Sequence, residues 1–411
     1  MPVSKTSKST RPLILGNAAI GQSGGPTAVI NQSLVGVIEG LKSFKSIKKV
    51  YGLRHGVSGL VKSPAEMIDL GKLSAARLNA IAKSPSASLG SSRDKPDALY
   101  CAKILQACKH ANIRYFFYIG GNDSSDTCRI VSELAEGNGY DMRCFHVPKT
   151  VDNDLMMSDH TPGFPSAARF VATAFMADNL DNASLPGVKI NVVMGRHAGF
   201  LTAASALGRK GASDGPHLIY LPEVPFSVDA FIADVQGVFD RLGRCQVAVS
   251  EGIQTADGRA VAESLIEGLD RDAHGNIQLS GVGGLGDALA GLVKKRVKKK
   301  DGKAPRVRAD TFGYLQRCWP DPSPVDSREA RGVGKFAARL AAKGASSGSV
   351  AIVRASGKTY KSVFQRIELR DVAAKTRHMP VEYINGRNDV SPAFIKYATP
   401  LVGKLPELAH L

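Results

Sequence analysis

The chain has 411 residues, of which 54 are Lys or Arg and 37 Asp or Glu, for a formal net charge of +17. With 43% hydrophobic and 22% charged residues it reads as a globular protein long enough for two cores, and it has no run of about 18 apolar residues to cross a membrane. The positive excess leaves open two classes, a nucleic-acid binder and an enzyme that handles polyanionic small molecules.

The first dozen residues are polar and basic, with no apolar stretch ahead of a cleavage site. They are expected to form a short disordered arm and not a secretory signal. Cys101, Cys108, Cys128, Cys144, Cys245 and Cys318 show no CxxC pairing. In a chain of this size they are expected to be free thiols in a reducing cytoplasm.

In chain order, strands are predicted at 12–16, 49–53, 115–119, 143–147, 189–194, 217–221, 246–250 and 350–354. Helix-length patterns fall between them at 27–42, 99–110, 125–136, 166–181, 197–208, 229–242 and 328–343. This alternation predicts an α/β fold with mostly parallel sheets and flanking helices. Ligands in such folds bind beyond the carboxyl ends of strands, which is where chemistry is sought. Turn-rich segments near 155–165 and 320–325 suggest domain limits. The expected division is 1–160 completed by 325–395, and 161–324 completed by 396–411. The densest basic run, Lys294 to Lys300, carries Leu289, Val293 and Val297 at four-residue spacing and is expected to be a helix with a solvated face. No aromatics interleave with it and no nucleic-acid-binding signature is present, so a nucleic-acid partner is not expected.

The segments after the strands carry the chemistry. Gly21-Gln22-Ser23-Gly24-Gly25-Pro26-Thr27 leads into a helix, with Pro26 suited to the first helical position. Such a loop cradles phosphate with backbone N–H groups, although alone it could be an ordinary strand-to-helix turn. Gly120-Gly121-Asn122-Asp123 repeats the pattern with a carboxylate at the lip, which could equally be a helix cap. Lys149-Thr150-Val151-Asp152-Asn153-Asp154 puts a lysine beside two carboxylates, suited to a general base next to a group that manages phosphate charge, although it could also be a polar turn capping the next helix. Met194-Gly195-Arg196, Glu251, Arg308 and Tyr314-Leu315-Gln316-Arg317 offer arginine forks that match phosphate oxygens and a carboxylate suited to sugar hydroxyls, although each alone is more simply read as a surface salt bridge. Two look-alikes fail. Gly281 to Gly286 has GxGxxG spacing, but a polybasic helix follows where a strand ending in an acid is required. Gly357-Lys358-Thr359 resembles the end of a P-loop, but its first glycine would fall at Ile352.

In this order and spacing, SGGP, GGND, PKTVDND, MGRHAG, SEG and YLQR resemble the phosphofructokinase family, from about residue 12 to about 390. The resemblance implies two Rossmann-like domains, the first binding the phosphoryl donor and the second a sugar phosphate. It implies that Gly24, Gly25 and Arg93 meet the donor phosphates, and that Asp152 is the base for the sugar 1-hydroxyl. Thr150, Val151, Asp152, Met194, Gly195, Arg196 and Glu251 would contact the sugar. Tyr314, Leu315, Gln316 and Arg317 would meet its 6-phosphate. Arg308 matches an arginine that reaches a neighbouring subunit, which implies a homodimer or homotetramer with shared sites. Where ATP-using members have glycines this chain has Asp123 and Lys149, as diphosphate-using members do. Asp123 would exclude the α-phosphate of ATP, and Lys149 would neutralise the transferring and departing phosphates. The expected activity is therefore transfer from diphosphate to fructose 6-phosphate with Mg2+; the alternatives are an ATP-dependent enzyme or a non-catalytic regulatory subunit. Asn122 stands where many members have a magnesium-associated Asp, and no second arginine precedes Met194, which leaves room for other sugar phosphates such as sedoheptulose 7-phosphate.

Overall fold

The structure, a computed structural model, describes residues 12–63, 66–266, 284–357 and 359–408. The N-terminal arm, Gly281–Gly283 of the first look-alike and Lys358 of the second lie outside the described residues. The chain forms two compact units. The first holds the described residues up to Thr150, Leu155–Gly163 and Asp326–Thr376; the second holds Val151–Asp154, Phe164–Val325 and the chain from Arg377 onward.

Eleven strands build the two main sheets. They are β1 (Gly16–Gln22), β2 (Ile47–Leu53), β3 (Ile68–Asp69), β4 (Ile113–Gly120), β5 (Arg143–Pro148), β6 (Val188–Val193), β7 (Leu218–Tyr220), β8 (Cys245–Ser250), β9 (Val307–Thr311), β10 (Gly348–Arg354) and β11 (Ser362–Ile367). In the first unit seven strands run in the order β11-β10-β5-β4-β1-β2-β3, parallel except for β11 and β3 at the two edges. In the second, four parallel strands run β7-β8-β6-β9. The central strands β4 and β5 are near-continuous apolar runs because helices cover both of their faces. Phe117 and Phe145 face Ile30, Leu34 and Ile38, while Phe116 and Tyr118 face Cys101, Leu105 and Val131. The period of two thus puts neighbouring residues into different halves of the core.

Three expectations are corrected. The first strand is Gly16–Gln22 and not 12–16; Leu13 and Leu15, which suggested it, are exposed. The following helix starts at Ile30, so Pro26 is not at its first position. The Thr27 carbonyl, which would have accepted the first helical bond, accepts instead from Ser86 N–H at 3.1 Å. Third, residues 377–395, expected with the first unit, pack in the second. There Ile219 N–H donates to Asn388 O at 2.8 Å and Arg209 pairs with Asp389 at 2.8 Å. The basic helix is present as Gly284–Arg296, with Leu289, Val293 and Val297 buried, but Lys298–Lys300 lie beyond its end.

Candidate active site

The first unit gathers the residues expected to meet the donor at the carboxyl ends of β1, β4 and β5. Gly24 has φ of +73°, a left-handed conformation that glycine adopts without strain. Its N–H donates to Ser92 O at 2.8 Å and Ser91 Oγ donates to its carbonyl at 2.6 Å, so Arg93 is tied beside the loop. Beneath it, buried Gln22 and Asn31 form a polar network: Gln22 Nε2 donates to Asn31 Oδ1 at 3.0 Å, and Gln22 Oε1 accepts from Leu89 N–H at 3.0 Å. Asn31 Oδ1 also accepts from Ser88 N–H at 3.0 Å. Asn31, Ser88 and Leu89 lie outside the glycine motif, yet with Gln22 they hold the 84–92 segment against the loop.

Lys149 is 4% exposed, and its Nζ donates to Gly25 O at 2.6 Å. The ammonium therefore lies on the glycine loop, 3.2 Å from where a Cβ on Gly24 would stand. Its own N–H donates to Gly120 O at 2.9 Å, tying the end of β5 to the end of β4. The same carbonyl lies 2.8 Å from Nε2 of buried His146, whose Nδ1 is 2.8 Å from Ser349 Oγ. A carbonyl can only accept, so Nε2 carries the proton and Nδ1 accepts from the serine. Burial, aided by the Lys149 charge, lowers the pKa of His146 to about 4 and keeps it neutral. The helix after Gly121 runs Asn122–Gly137, three residues earlier than expected, so Asn122 and Asp123 sit in its first turn. Asp123 is exposed and pairs with Lys95 at 3.5 Å. Thr150 bridges to Gly163.

The second unit gathers the residues expected to meet the sugar phosphate at the ends of β8, β6 and β9. Gly195 has φ of +128°, and a Cβ there would meet Ala198 O at 2.6 Å, so the Met194-Gly195-Arg196 turn requires glycine. Ser250 Oγ donates to Gly195 O at 2.7 Å, and Glu251 N–H donates to Val193 O at 2.9 Å, which places buried Glu251 next to that turn. Gln316, expected among the sugar-phosphate contacts, is buried and braces the site instead. Its Oε1 accepts from Met194 N–H at 3.3 Å and its Nε2 donates to Gly313 O at 2.9 Å. This leaves Tyr314 and Leu315 exposed, with the Arg317 guanidinium 4.2 Å from the Tyr314 ring centroid. Lys189 is engaged elsewhere, pairing with Asp178 at 2.8 Å and Asp310 at 3.1 Å. Arg308 stands apart, exposed near the start of edge strand β9.

Val151–Asp154 belongs to this unit, with Asp152 half-buried between buried Val151 and buried Asn153. Sequence reasoning passed over Glu223, just after β7, whose Oε1 accepts from Gly199 N–H and from Met379 N–H, both at 2.9 Å. Burial raises its pKa. It also passed over Arg377 and Tyr397, which bond the Asp152 loop from more than 200 residues away in sequence.

Comparison with known proteins accords with this arrangement. The phosphofructokinase family profile matches residues 17–341. The chain is 54% identical over 96% of each chain to pyrophosphate–fructose 6-phosphate 1-phosphotransferase of Rhodospirillum rubrum. It is 38% identical to the enzyme of that name from Halomonas elongata, over 94% of this chain and 91% of that one. Its fold superposes on pyrophosphate-dependent phosphofructokinase from Nitrosospira multiformis with a TM-score of 0.83 at 32% identity, covering 96% of this chain and 94% of that one. With strand-end motifs in family order, a glycine loop carrying a buried lysine and a profile match across most of its length, the chain belongs to the phosphofructokinase family.

Proposed function

We propose that the protein transfers a phosphoryl group from inorganic diphosphate to the 1-hydroxyl of fructose 6-phosphate, giving fructose 1,6-bisphosphate and phosphate, reversibly, as a step of glycolysis. The observation that carries the choice of donor is Lys149, whose ammonium sits on the Gly24–Gly25 loop at 2.6 Å from Gly25 O. A fixed cation at a phosphate cradle neutralises charge that a donor as small as diphosphate cannot spread over itself. Asp123, in the first turn of the neighbouring helix, disfavours a bulkier anionic donor at the same place.

In this reading Gly24, Gly25, Arg93 and Lys149 hold the donor. Thr150, Asp152, Met194, Arg196, Glu251, Tyr314 and Arg317 hold the sugar phosphate. The sugar O1 attacks the donor's terminal phosphorus, the bridging P–O bond breaks and phosphate leaves. The O1 proton passes to the Asp152 carboxylate, a general-base role contributing roughly 10²–10⁴-fold. Among the described residues no group of three or more His, Cys, Asp or Glu side chains could hold a metal by itself. Magnesium does not need one, since it binds through one or two protein oxygens plus substrate phosphates. The Asn122 amide oxygen is a hard donor of that kind, and the ion would supply charge neutralisation on the diphosphate oxygens.

Exposed Arg308 supports a homodimer or homotetramer, with that guanidinium serving a neighbour's substrate. Six cysteines without a disulfide, several with pKa values raised by burial, support a reducing compartment such as the cytoplasm. No helix among the described residues is long and apolar enough to cross a membrane.

A donor panel of diphosphate, ATP and ADP with fructose 6-phosphate and magnesium tests the reading. Turnover is expected with diphosphate, and a preference for ATP would overturn the donor assignment. Specific activity is expected to fall on dilution as subunits part; a fully active monomer by light scattering would overturn the shared-site assembly.

A further inference from the structure

We infer that Arg377 and Tyr397 are positioning residues that set the Asp152 carboxylate; this inference rests on the base role proposed above. The chain leaves the first unit after Thr150, contributes only Val151–Asp154 to the second, and returns to the first at Leu155. A four-residue excursion has no helix or strand of its own to hold it, so bonds from elsewhere in the second unit must fix its backbone.

Those bonds come from the C-terminal segment. Asn153, directly after Asp152, is fully buried with φ of +61°, a left-handed conformation that asparagine tolerates better than most residues. Its Nδ2 donates to Tyr397 Oη at 2.9 Å. Its carbonyl accepts from Arg377 Nε at 3.1 Å, and the next carbonyl, of Asp154, accepts from Arg377 N–H at 2.7 Å. One residue thus grips both carbonyls that follow the carboxylate.

Arg377 is itself braced. Its guanidinium carbon lies 4.8 Å from the centroid of the Phe200 ring, and Phe200 packs on Tyr397 at 6.2 Å between centroids. The aromatic cluster extends to Tyr383 and Phe394, and Phe200 is 1% exposed. Arg377 thus holds a peptide carbonyl while its guanidinium lies against an aromatic ring. That geometry makes the loop conformation stiff, and stiffness matters because a misplacement of about 1 Å at a reacting group costs up to ~10²-fold in rate.

The test combines Arg377→Ala, Tyr397→Phe, Asp152→Asn and the pair Asp152→Asn with Arg377→Ala. The two positioning variants are expected to lower kcat by at least ~10-fold while leaving KM for diphosphate and fructose 6-phosphate within ~3-fold. Added guanidinium is expected to restore part of the kcat of Arg377→Ala. In the double variant the Arg377 change should add little, because its effect passes through a carboxylate already removed. Arg377→Ala and Tyr397→Phe enzymes that keep more than half of wild-type kcat would overturn the inference. So would losses that multiply in the double variant. Should Arg377→Ala fail to fold, Tyr397→Phe, which deletes a single hydroxyl, decides. Near-normal turnover by Asp152→Asn would remove the base role itself, and the inference with it.

Discussion

In the first unit the candidate donor site is a glycine loop with one buried lysine lying on it, held from below by neutral side chains. Gln22, Asn31 and His146 hydrogen-bond without net charge, while the ammonium of Lys149 places a fixed charge on the Gly24–Gly25 loop. In the second unit the arrangement is reversed: the turn after β9 presents Tyr314 and Arg317 by their side chains, and a buried amide, Gln316, does the bracing. A backbone cradle discriminates by shape and by the placement of one charge. A side-chain cluster discriminates by which charged groups reach the ligand. Substitutions in the two halves should therefore fail in different kinetic parameters.

The largest separation is expected at Lys149. Lys149→Gly should lower kcat/KM for diphosphate by ~10²-fold or more, the scale for losing a preorganised charge-stabilising group. Affinity for fructose 6-phosphate should hardly move. Asp123→Gly should permit weak ATP-dependent turnover, and the double variant should shift the donor ratio toward ATP further than either change alone. A Lys149 variant whose defect lay in fructose 6-phosphate KM would erase the distinction between the halves. So would a double variant that kept its diphosphate preference.

The mirror experiment is Arg317→Ala. Losing a charge-assisted bond worth about 1.5–3 kcal/mol should raise KM for fructose 6-phosphate by ~10-fold or more with diphosphate KM unchanged. Steady-state kinetics with each substrate varied in turn reads both numbers. A smaller effect is expected at Gly24→Ala. Its φ of +73° costs a non-glycine residue about 1–2 kcal/mol. The new Cβ would stand 3.2 Å from Lys149 Nζ, which can shift because it ends a flexible side chain. Diphosphate KM should rise a few-fold, and thermal unfolding should come a few degrees earlier.

How much of this could be read from residues alone follows the same division. The glycine turns and the buried strands β4, β5, β6 and β8 show as patterns of two or three residue types over a short span, and all were predicted to within a few residues. Strands β9 and β11 were missed because they are half-exposed and alternate charged with apolar residues, VRADT and SVFQRI, with none of the apolar runs that marked the others. The helices Val57–Lys62 and Ala75–Lys83 are short and were passed over for the same lack of periodic length. The candidate site residues were picked out by their strand-end motifs, whereas the residues that brace them were not. His146 looks like one more residue of an apolar strand, and Arg377 lies 223 positions beyond Asp154, the residue whose carbonyl it binds. No local pattern can announce a bond made only by the tertiary fold. Gln316 shows the opposite case: a polar residue inside a recognised motif turns its side chain inward, onto the Met194 N–H.

The most specific effect concerns two buried histidines of the first unit whose pKa values are shifted in opposite directions. His146, between a serine hydroxyl and a carbonyl and facing Lys149, has its pKa lowered to about 4 chiefly by burial. His160 has its pKa raised: burial opposes the charge, but Asp159 at 2.9 Å and Glu329 at 2.6 Å outweigh it. The signs follow from linkage. For His146 the unfolded chain binds the proton more readily, so its contribution is complete above pH 6.5 and is lost as pH falls toward 4, by about 3 kcal/mol over that window. For His160 the folded chain binds it more readily, so that contribution is complete below pH 6.5 and is lost as pH rises through the folded value. His146→Gln should therefore be destabilised relative to wild type at pH 7, with the gap in Tm closing as pH falls toward 4.5. His160→Gln should show its largest deficit near pH 6 and a closing gap on the alkaline side. Removing the Lys149 charge should in turn let His146 take up its proton at a higher pH, because that ammonium is one of the groups holding it neutral. Imidazole titration by NMR in wild type and Lys149→Met reads that shift directly. A His146 resonance that titrates near pH 6.5 in wild type would contradict the neutral brace described beneath the donor loop.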